Sequence, residues 1–118
     1  MSTTLMAIYR RPEGGEEAVA TFRRRYAAEH LPLIRQVPGL QAVRVGRVVR
    51  PLGESDVMMV ARLIFPDRPT FEAALTSDPM RAAGRNLREI APGLVTMLVI
   101  EADGGFSSGP DDEPGGAA

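Results

Sequence analysis

The stretch Val57-Met-Met-Val-Ala-Arg-Leu-Ile-Phe65 decides the fold of this 118-residue chain. A short apolar run of this length, bounded by turn-forming residues, predicts a β-strand. Neighbouring side chains of a strand point to opposite faces of its sheet, and here both faces are largely apolar. One face carries Val57, Met59, Ala61, Leu63 and Phe65, and the other carries Met58, Val60, Arg62 and Ile64. The sheet that contains this strand therefore needs a covering layer on each side.

Three further strands and two helical regions are predicted around this stretch. Apolar runs indicate the strands, and a glycine in the second of them indicates a β-bulge near Gly46. Apolar residues at helical spacing indicate the helices, and Asp67 and Ser77 have the side chains that cap helix N-termini. The predicted strands cover residues 3–10, 40–50, 57–65 and 94–100, and the helical regions cover about 16–29 and 68–89.

This order of elements predicts an α+β domain of the ferredoxin-like βαββαβ type, with an antiparallel four-stranded sheet. Two helical regions cover only one face of such a sheet, so the second apolar face needs another partner. Stacking of two identical sheets in a homodimer is the simplest solution. Residues 1–101 form the predicted domain. Residues 102–118 are rich in Gly, Pro and acidic residues, and we expect this tail to be disordered.

Composition narrows the classes of function. The formal net charge is −1, so the chain lacks the basic field that nucleic-acid binding needs. There are no cysteines, which excludes disulfides, thiolate metal sites and cysteine nucleophiles. No apolar run is long enough to span a membrane, and the N-terminus does not resemble a signal peptide. We therefore expect a cytoplasmic protein that does not associate with membranes.

The one histidine of the chain lies in a pattern that suggests a site. Phe22, Tyr26 and His30 are four residues apart, so on a helix they stack along one face. Pro32 cannot donate a backbone hydrogen bond and disfavours a continuous helix, which predicts that His30 lies at a helix end or kink. Two interpretations stay open at this point: the histidine is an acid–base group, or it only closes the helix while the aromatic residues pack in the core.

Several motifs distributed along the chain resemble the EthD family, which belongs to the dimeric α+β barrel proteins. The similarity extends over nearly all of residues 5–101. It implies a ferredoxin-like subunit whose sheet pairs with that of a second subunit to close a barrel. The motifs are Ile8-Tyr-Arg-Arg-Pro-Glu-Gly14, Tyr26-Ala-Ala-Glu-His-Leu-Pro-Leu33, Val37-Pro-Gly-Leu40, Leu63-Ile-Phe-Pro-Asp67 and Ala91-Pro-Gly-Leu-Val95.

The resemblance also implies a class of function. EthD proteins are associated with the degradation of ether fuel additives and are often called reductases, and related barrels include oxygenases, cyclases and isomerases. We expect an enzyme that acts on an apolar, oxygen-bearing small molecule, with His30 as general acid or base and Tyr26 as its orienting or oxyanion group. Tyr9 and Phe22 would line the pocket. The alternative is a non-catalytic protein that binds or carries a small molecule.

No cofactor or metal is predicted, although haem and flavin stay open by analogy with the wider superfamily. The glycine pairs match neither a dinucleotide-binding nor a phosphate-loop pattern, and one histidine without a second nitrogen ligand gives little support for a metal. Two arginine interactions are also predicted. Arg25 and Glu29 are spaced for an ion pair on a helix, and Arg62 on the third strand is expected to pair with Glu101 or Asp56 across the dimer.

Overall fold

Four strands form one antiparallel sheet in the computed structural model, which describes residues 1–110. The spatial order of the strands is β2-β3-β1-β4, so the first and third strands are central and the second and fourth are edges. This is the order of the ferredoxin-like fold and confirms the predicted class. The strands are β1 (Thr3–Arg10), β2 (Ala42–Arg47), β3 (Val57–Phe65) and β4 (Val95–Glu101).

The helices pack on one face of this sheet. Asp67 and Ser77 are N-cap residues as predicted, since their side chains accept hydrogen bonds from the backbone amides of Thr70 and Met80. The helical segments are α1 (Gly15–Arg25), a π-helical turn (Tyr26–His30), α2 (Leu31–Ile34), α3 (Arg68–Leu75) and α4 (Asp78–Ile90).

The prediction for Pro32 was a helix end or a kink at His30, and of these the helix end is wrong. The first three helical segments follow one another without a break from Gly15 to Ile34, and the backbone of His30 is helical, with φ −80° and ψ −50°. The Leu31 amide bonds to the carbonyl of Tyr26, five residues earlier, instead of the usual four. This wider turn lies where the proline ring would otherwise meet the carbonyl of the fourth preceding residue, so the helix absorbs Pro32 instead of ending.

Two groups of buried side chains form the core between the helices and the sheet. The first centres on the aromatic residues Tyr9, Phe22 and Tyr26 and includes the end of α4. The second centres on Phe65 and Phe71, whose ring centroids are 5.4 Å apart, and connects β3 to α3. The first group surrounds the predicted site residues, and the second fixes the opposite end of the sheet.

The other sheet face, which we call the open face, has no helix over it. It carries Met6 and Ile8 of β1, and cross-strand pairing places Val60 and Leu98 beside them. On the edge strand β4, Leu98 and Ile100 lie on this face and are 47% and 39% exposed. Apolar side chains on the uncovered face of a soluble sheet are typical of an interaction surface.

The β-bulge lies on a different strand from the one predicted. Residues 42–47 of β2 pair with β3 in regular register through Gly46, so the prediction of a bulge there is wrong. The irregularity is instead on β3, where Tyr9 pairs with Met59 and Arg10 pairs with Val57, leaving Met58 as the extra residue. Both methionines are buried.

The predicted ion pair of Arg62 with Glu101 or Asp56 across a dimer stays a prediction, but Glu101 already has partners within its own subunit. Glu101 accepts hydrogen bonds from Arg68, at 2.6 Å, and from Thr3 within the same subunit. Its cross-strand neighbour Thr3 is on the helix-covered face, whereas Arg62 pairs with Met6 on the open face. The carboxylate and the Arg62 side chain therefore lie on opposite sides of the sheet.

Two remaining sequence predictions concern the chain ends and membranes. Residues 102–110 follow β4 without forming a further helix or strand, and residues 111–118 lie outside the described residues, so disorder of the tail stays a prediction. Within residues 1–110, no helix combines the length and the apolar character that crossing a bilayer requires. The cytoplasmic location stays a prediction.

Candidate functional site

The three residues of the predicted helical stripe point into the core. Phe22 lies in α1, and Tyr26 and His30 are the first and last residues of the π-helical turn. Their side chains are stacked as the spacing predicted, with ring centroids 5.6 Å apart for Phe22 and Tyr26 and 5.1 Å apart for Tyr26 and His30. Each of the three residues is less than 5% exposed. Single π turns are frequent at functional sites, and this one carries both predicted catalytic residues.

Tyr9 joins this stack from the sheet. Its ring is 5.5 Å from Phe22 and 5.6 Å from Tyr26, centroid to centroid. The hydroxyls of Tyr9 and Tyr26 share a hydrogen bond. Burial is the main cause that raises the pKa of both tyrosines. Both phenols are therefore neutral at pH 7.

Asn86 of α4 is the hydrogen-bond partner of the histidine. The Nδ1 atom of His30 is 3.1 Å from Oδ1 of Asn86, and Nδ2 of Asn86 donates to Oε1 of Glu29 at 3.0 Å. A carboxylate only accepts, so it must face the NH₂ group, and the amide oxygen must then face His30. This oxygen only accepts as well, so Nδ1 of the neutral imidazole carries the proton and Nε2 has the lone pair.

Arg25 holds the carboxylate at the other end of this chain. Its Nε and Nη2 atoms donate to the two oxygens of Glu29 at 2.8 and 3.1 Å, which confirms the predicted ion pair and makes it bidentate. The hydrogen bonds from Arg25 hold the pKa of Glu29 below its usual value. Glu89 of α4 lies 3.8 Å from Nη2 of the same guanidinium. A chain of hydrogen bonds thus runs from the surface to the core, through Arg25, Glu29, Asn86 and His30, and each donor and acceptor in it is assigned.

Burial sets the protonation state of His30. The imidazole is 3% exposed, and loss of water around it lowers its pKa below 6.5, an effect that the bond to Asn86 partly offsets. Within residues 1–110, every fully enclosed side-chain nitrogen or oxygen has a hydrogen-bond partner, whereas Nε2 of His30 has none. The Nε2 atom is therefore not fully enclosed by the described residues, although His30 as a whole is 3% exposed. The site holds a neutral imidazole whose Nε2 lone pair can accept a proton.

Two surface clefts meet at Phe22. A cleft of about 410 Å³ lies on the α4 side of its ring and includes Thr21, Arg25 and Ile90 in its walls. A second cleft of about 300 Å³ lies toward β2 and β3 and includes Met58 and Met59. Neither cleft has Tyr9, Tyr26 or His30 in its lining. The structure thus brings the four predicted residues together, but only Phe22 lines these clefts.

Sequence reasoning missed Asn86, although a signal for it was present. The buried residues of α4 are Ala83, Asn86, Leu87 and Ile90, which follow the three- and four-residue spacing of a core-facing stripe. A carboxamide at a core position needs a hydrogen-bond partner, and this requirement marks Asn86 as unusual. The identity of that partner depends on how α4 packs against the π turn, 56 residues away in sequence from His30.

The described part of the chain also offers no obvious metal site. Across residues 1–110, no three or more His, Cys, Asp or Glu side chains are grouped in a way that could hold a metal ion.

Comparison with known proteins defines the class to which this fold belongs. No family model and no curated protein matches the chain. Among solved structures, a dimeric ferredoxin-like protein of unknown function from Bacteroides fragilis shares 14% identity, with a TM-score of 0.64 over 86% of this chain and 96% of that chain. The cofactor-independent oxygenase SnoaB from Streptomyces nogalater shares 17% identity, with a TM-score of 0.57 over 91% and 98%. At these identities the likeness shows a common ferredoxin-like fold.

A third structure establishes the family. An EthD family protein from Bacillus halodurans shares 30% identity with this chain, with a TM-score of 0.77 over 86% of this chain and 99% of that chain. The chain therefore belongs to the EthD family, as its motifs predicted. Its fold is also that of proteins that include enzymes.

Proposed function

We propose that this protein is an enzyme that uses acid–base chemistry, without a cofactor, on an apolar, oxygen-bearing small molecule. One observation supports the proposal above all others: the only histidine is neutral, and Asn86 holds it in the tautomer that leaves the lone pair on Nε2. The oxygenase SnoaB offers a precedent on this fold for chemistry without a cofactor.

Each site residue has a defined part in the proposed reaction. Nε2 of His30 accepts a proton from an acidic C–H or O–H group of the substrate, and the resulting imidazolium is stabilised through Asn86 and the Glu29 carboxylate. Tyr26 donates its hydroxyl hydrogen to the oxyanion that develops on the substrate. Tyr9 positions that hydroxyl through their shared hydrogen bond. Phe22 supplies the apolar contact surface beside the stack.

We also propose that the active form is a homodimer in which two open faces stack. The support is the apolar character of this face around Met6, Ile8 and Leu98 and the dimeric state of the ferredoxin-like neighbour from Bacteroides fragilis. Stacking would remove these side chains from water and close the barrel that the family resemblance implies. The helices and the site would remain on the outside of the paired sheets.

The proton-transfer step is testable with a simple ketone. The probe is 2-tetralone, an apolar molecule with an acidic C–H group beside its carbonyl, incubated with the protein in D₂O. We expect the wild-type protein to accelerate deuterium incorporation measured by mass spectrometry. His30→Gln should lower this rate by roughly 100-fold or more, since it removes the general base. Tyr26→Phe should lower it by a smaller factor, because only the oxyanion donor is lost.

A matched surface variant provides the control. Arg85→Gln changes an exposed residue of α4 next to Asn86 and should exchange deuterium at the wild-type rate. Equal rates in the wild-type protein and His30→Gln would contradict the proposal. The second candidate function, binding without catalysis, is favoured by one observation: Phe22 lines both clefts, whereas His30 lines neither. Binding of 2-tetralone with no exchange above the buffer rate would support that alternative.

A further inference from the structure

The cleft between α1 and β3 combines an apolar floor with a positively charged rim. Its volume is about 300 Å³, at the lower end of small-molecule sites. We call it the arginine cleft. The floor consists of buried and half-buried apolar side chains, and the rim consists of exposed charged side chains. The floor residues are Val19, Phe22, Val48, Met58 and Met59, and the rim residues are Arg11, Glu16, Arg23 and Arg47.

The β-bulge on β3 explains why the floor is apolar. In a regular strand Met58 and Met59 would point to opposite faces of the sheet. Met58 is the extra residue of the bulge, and a bulge redirects the side chain that it contains. Both methionines consequently line the same cleft. Their unbranched side chains adapt to the shape of a bound ring, as methionines do in many binding surfaces.

The charge of the rim selects the ligand. Arg11 forms an ion pair with Glu16 at 3.2 Å, but both side chains are exposed, so this pair is weak. Within residues 1–110, neither Arg23 nor Arg47 has an ion-pair partner. Two uncompensated guanidinium groups thus stand over an apolar floor in a chain whose net charge is −1. Guanidinium groups bind carboxylates through paired hydrogen bonds.

The neighbouring cleft on the other side of Phe22 lacks this property. Its charged lining residues are Glu17 and Arg25, whose charges balance, and Arg25 is already bound to Glu29. Of these two clefts, only the arginine cleft has the charge to hold an anion. Phe22 forms part of its floor and also contacts Tyr9 and Tyr26, so a ring bound there lies next to the aromatic stack.

We propose that the arginine cleft binds a small ring-bearing acid, with the ring over Phe22 and the paired methionines and the carboxylate between Arg23 and Arg47. This inference rests on the proposed function, since it names the class of molecule that would reach the site. The binding itself does not require catalysis. A neutral molecule of the same shape would contact the apolar floor but would form no ion pair with the arginines.

The test uses 2-naphthoate and, as a neutral match, 2-naphthalenemethanol. The protein has six methionines, so labelling of their methyl groups with ¹³C gives few NMR signals, which Met58→Leu and Met59→Leu assign. We expect 2-naphthoate to shift the Met58 and Met59 signals in a saturable way. Arg23→Gln or Arg47→Gln should each weaken this binding about fivefold, since each removes one exposed ion pair. Added salt should also weaken it.

Arg24→Gln is the matched control, because Arg24 is adjacent to Arg23 and exposed but does not line the cleft. It should bind 2-naphthoate like the wild-type protein, and 2-naphthalenemethanol should bind equally to all variants. Three results would each overturn the proposal: no saturable shift at millimolar 2-naphthoate, the main shifts at Met6 or Met97, or unchanged affinity in both arginine variants.

The two proposals can fail separately. His30→Gln should retain 2-naphthoate binding, because His30 is not part of the cleft lining. Arginine-dependent binding together with no exchange of 2-tetralone in the wild-type protein would refute the catalytic proposal and leave the binding proposal intact. Exchange of 2-tetralone together with arginine-independent binding of 2-naphthoate would refute the binding proposal and leave the catalytic proposal intact.

Discussion

Asn86 controls the chemistry of His30 although it is an uncharged residue on another helix. Its amide can face the imidazole in two ways, and the Glu29 carboxylate permits only the one with the oxygen toward Nδ1. The consequence at the residue scale is a histidine with one defined tautomer. Because the chain has a single histidine, this state can be measured without ambiguity.

Asn86→Leu tests this control directly. In the wild-type protein we expect ¹⁵N NMR of the imidazole to show a protonated Nδ1 and an unprotonated Nε2 at pH 8. The leucine variant removes the acceptor, so the proton should move to Nε2 in most molecules. The free energy of unfolding should fall by about 1–3 kcal/mol, since Nδ1 and Glu29 each lose a buried partner. Arg85→Gln should leave both spectra and stability unchanged, and an Nδ1-protonated ring in Asn86→Leu would refute the role of the amide.

The pKa of His30 gives a second prediction at this scale. Burial lowers the pKa of the folded imidazole below its unfolded value of 6.5, so the unfolded chain takes up the proton more readily. Stability should therefore be highest above pH 6.5 and fall as the pH decreases from 6.5 toward the folded pKa. Urea unfolding at a series of pH values measures this slope. In His30→Gln the curve should be flat between pH 5 and 7, and an equal slope in both proteins would contradict the assignment.

The sequence predicted only part of this constellation. Helical spacing alone placed Phe22, Tyr26 and His30 in one stack, because contacts four residues apart depend on local geometry. The position of Tyr9 at the end of the first strand made it the next candidate for the same pocket. The contact of His30 with Asn86 depends instead on the packing of α4 on the π turn, and no local pattern specifies such long-range packing.

At the scale of elements, backbone hydrogen bonding was the least predictable property. Pro32 correctly marked a departure from regular α-helix, but the chain responds with a wider turn and not with a helix end. The bulge was similarly expected at Gly46 and occurs at Met58. In both cases the side-chain pattern indicates that the regular hydrogen bonding is interrupted. The kind of interruption, a π turn or a bulge on the paired strand, depends on how the neighbouring element packs.

Gly39 illustrates how tightly one such element boundary is packed. It lies between the site helix and β2 with φ +79°, and a Cβ atom there would overlap Cγ2 of Thr70 in α3. We expect Gly39→Ala to destabilise the protein by about 2–4 kcal/mol, from the left-handed backbone and the steric overlap together. Chemical denaturation measures the loss.

A second substitution separates these two contributions. Thr70→Ser removes the Cγ2 methyl group, so the double variant Gly39→Ala/Thr70→Ser should recover the steric part and keep about 1 kcal/mol of backbone strain. Thr70→Ser alone, which should cost little, is the control. No recovery in the double variant would show that the overlap is relieved by other means.

At the scale of the whole molecule, the two-sided pattern of β3 carried the most information. The strand order is β2-β3-β1-β4. It follows from the sequence order of elements, because few topologies place these four strands in one sheet with both helical regions on the same face. The apolar open face predicts an assembly for the same reason: removing such a surface from water is favourable in proportion to its area.

Leu98→Glu tests the proposed homodimer. Leu98 pairs with Met6 on the open face and is 47% exposed in the single subunit. A carboxylate at this position would be buried without a partner in stacked sheets, so the variant should elute as a monomer in size-exclusion chromatography with light scattering. Leu52→Glu, at a loop position that is 92% exposed, should retain the dimer mass. A dimer of unchanged stability in Leu98→Glu would exclude the open face as the interface.

The hydrogen-bonded pair Tyr9 and Tyr26 has a consequence for how the protein can be observed. The chain has two tyrosines and no tryptophan, and both tyrosines belong to the aromatic stack. All fluorescence excited at 280 nm therefore originates within the site. A ligand that contacts Phe22 or separates the two phenols should therefore change the tyrosine emission of the whole protein. Binding at the site can thus be followed by fluorescence without a label.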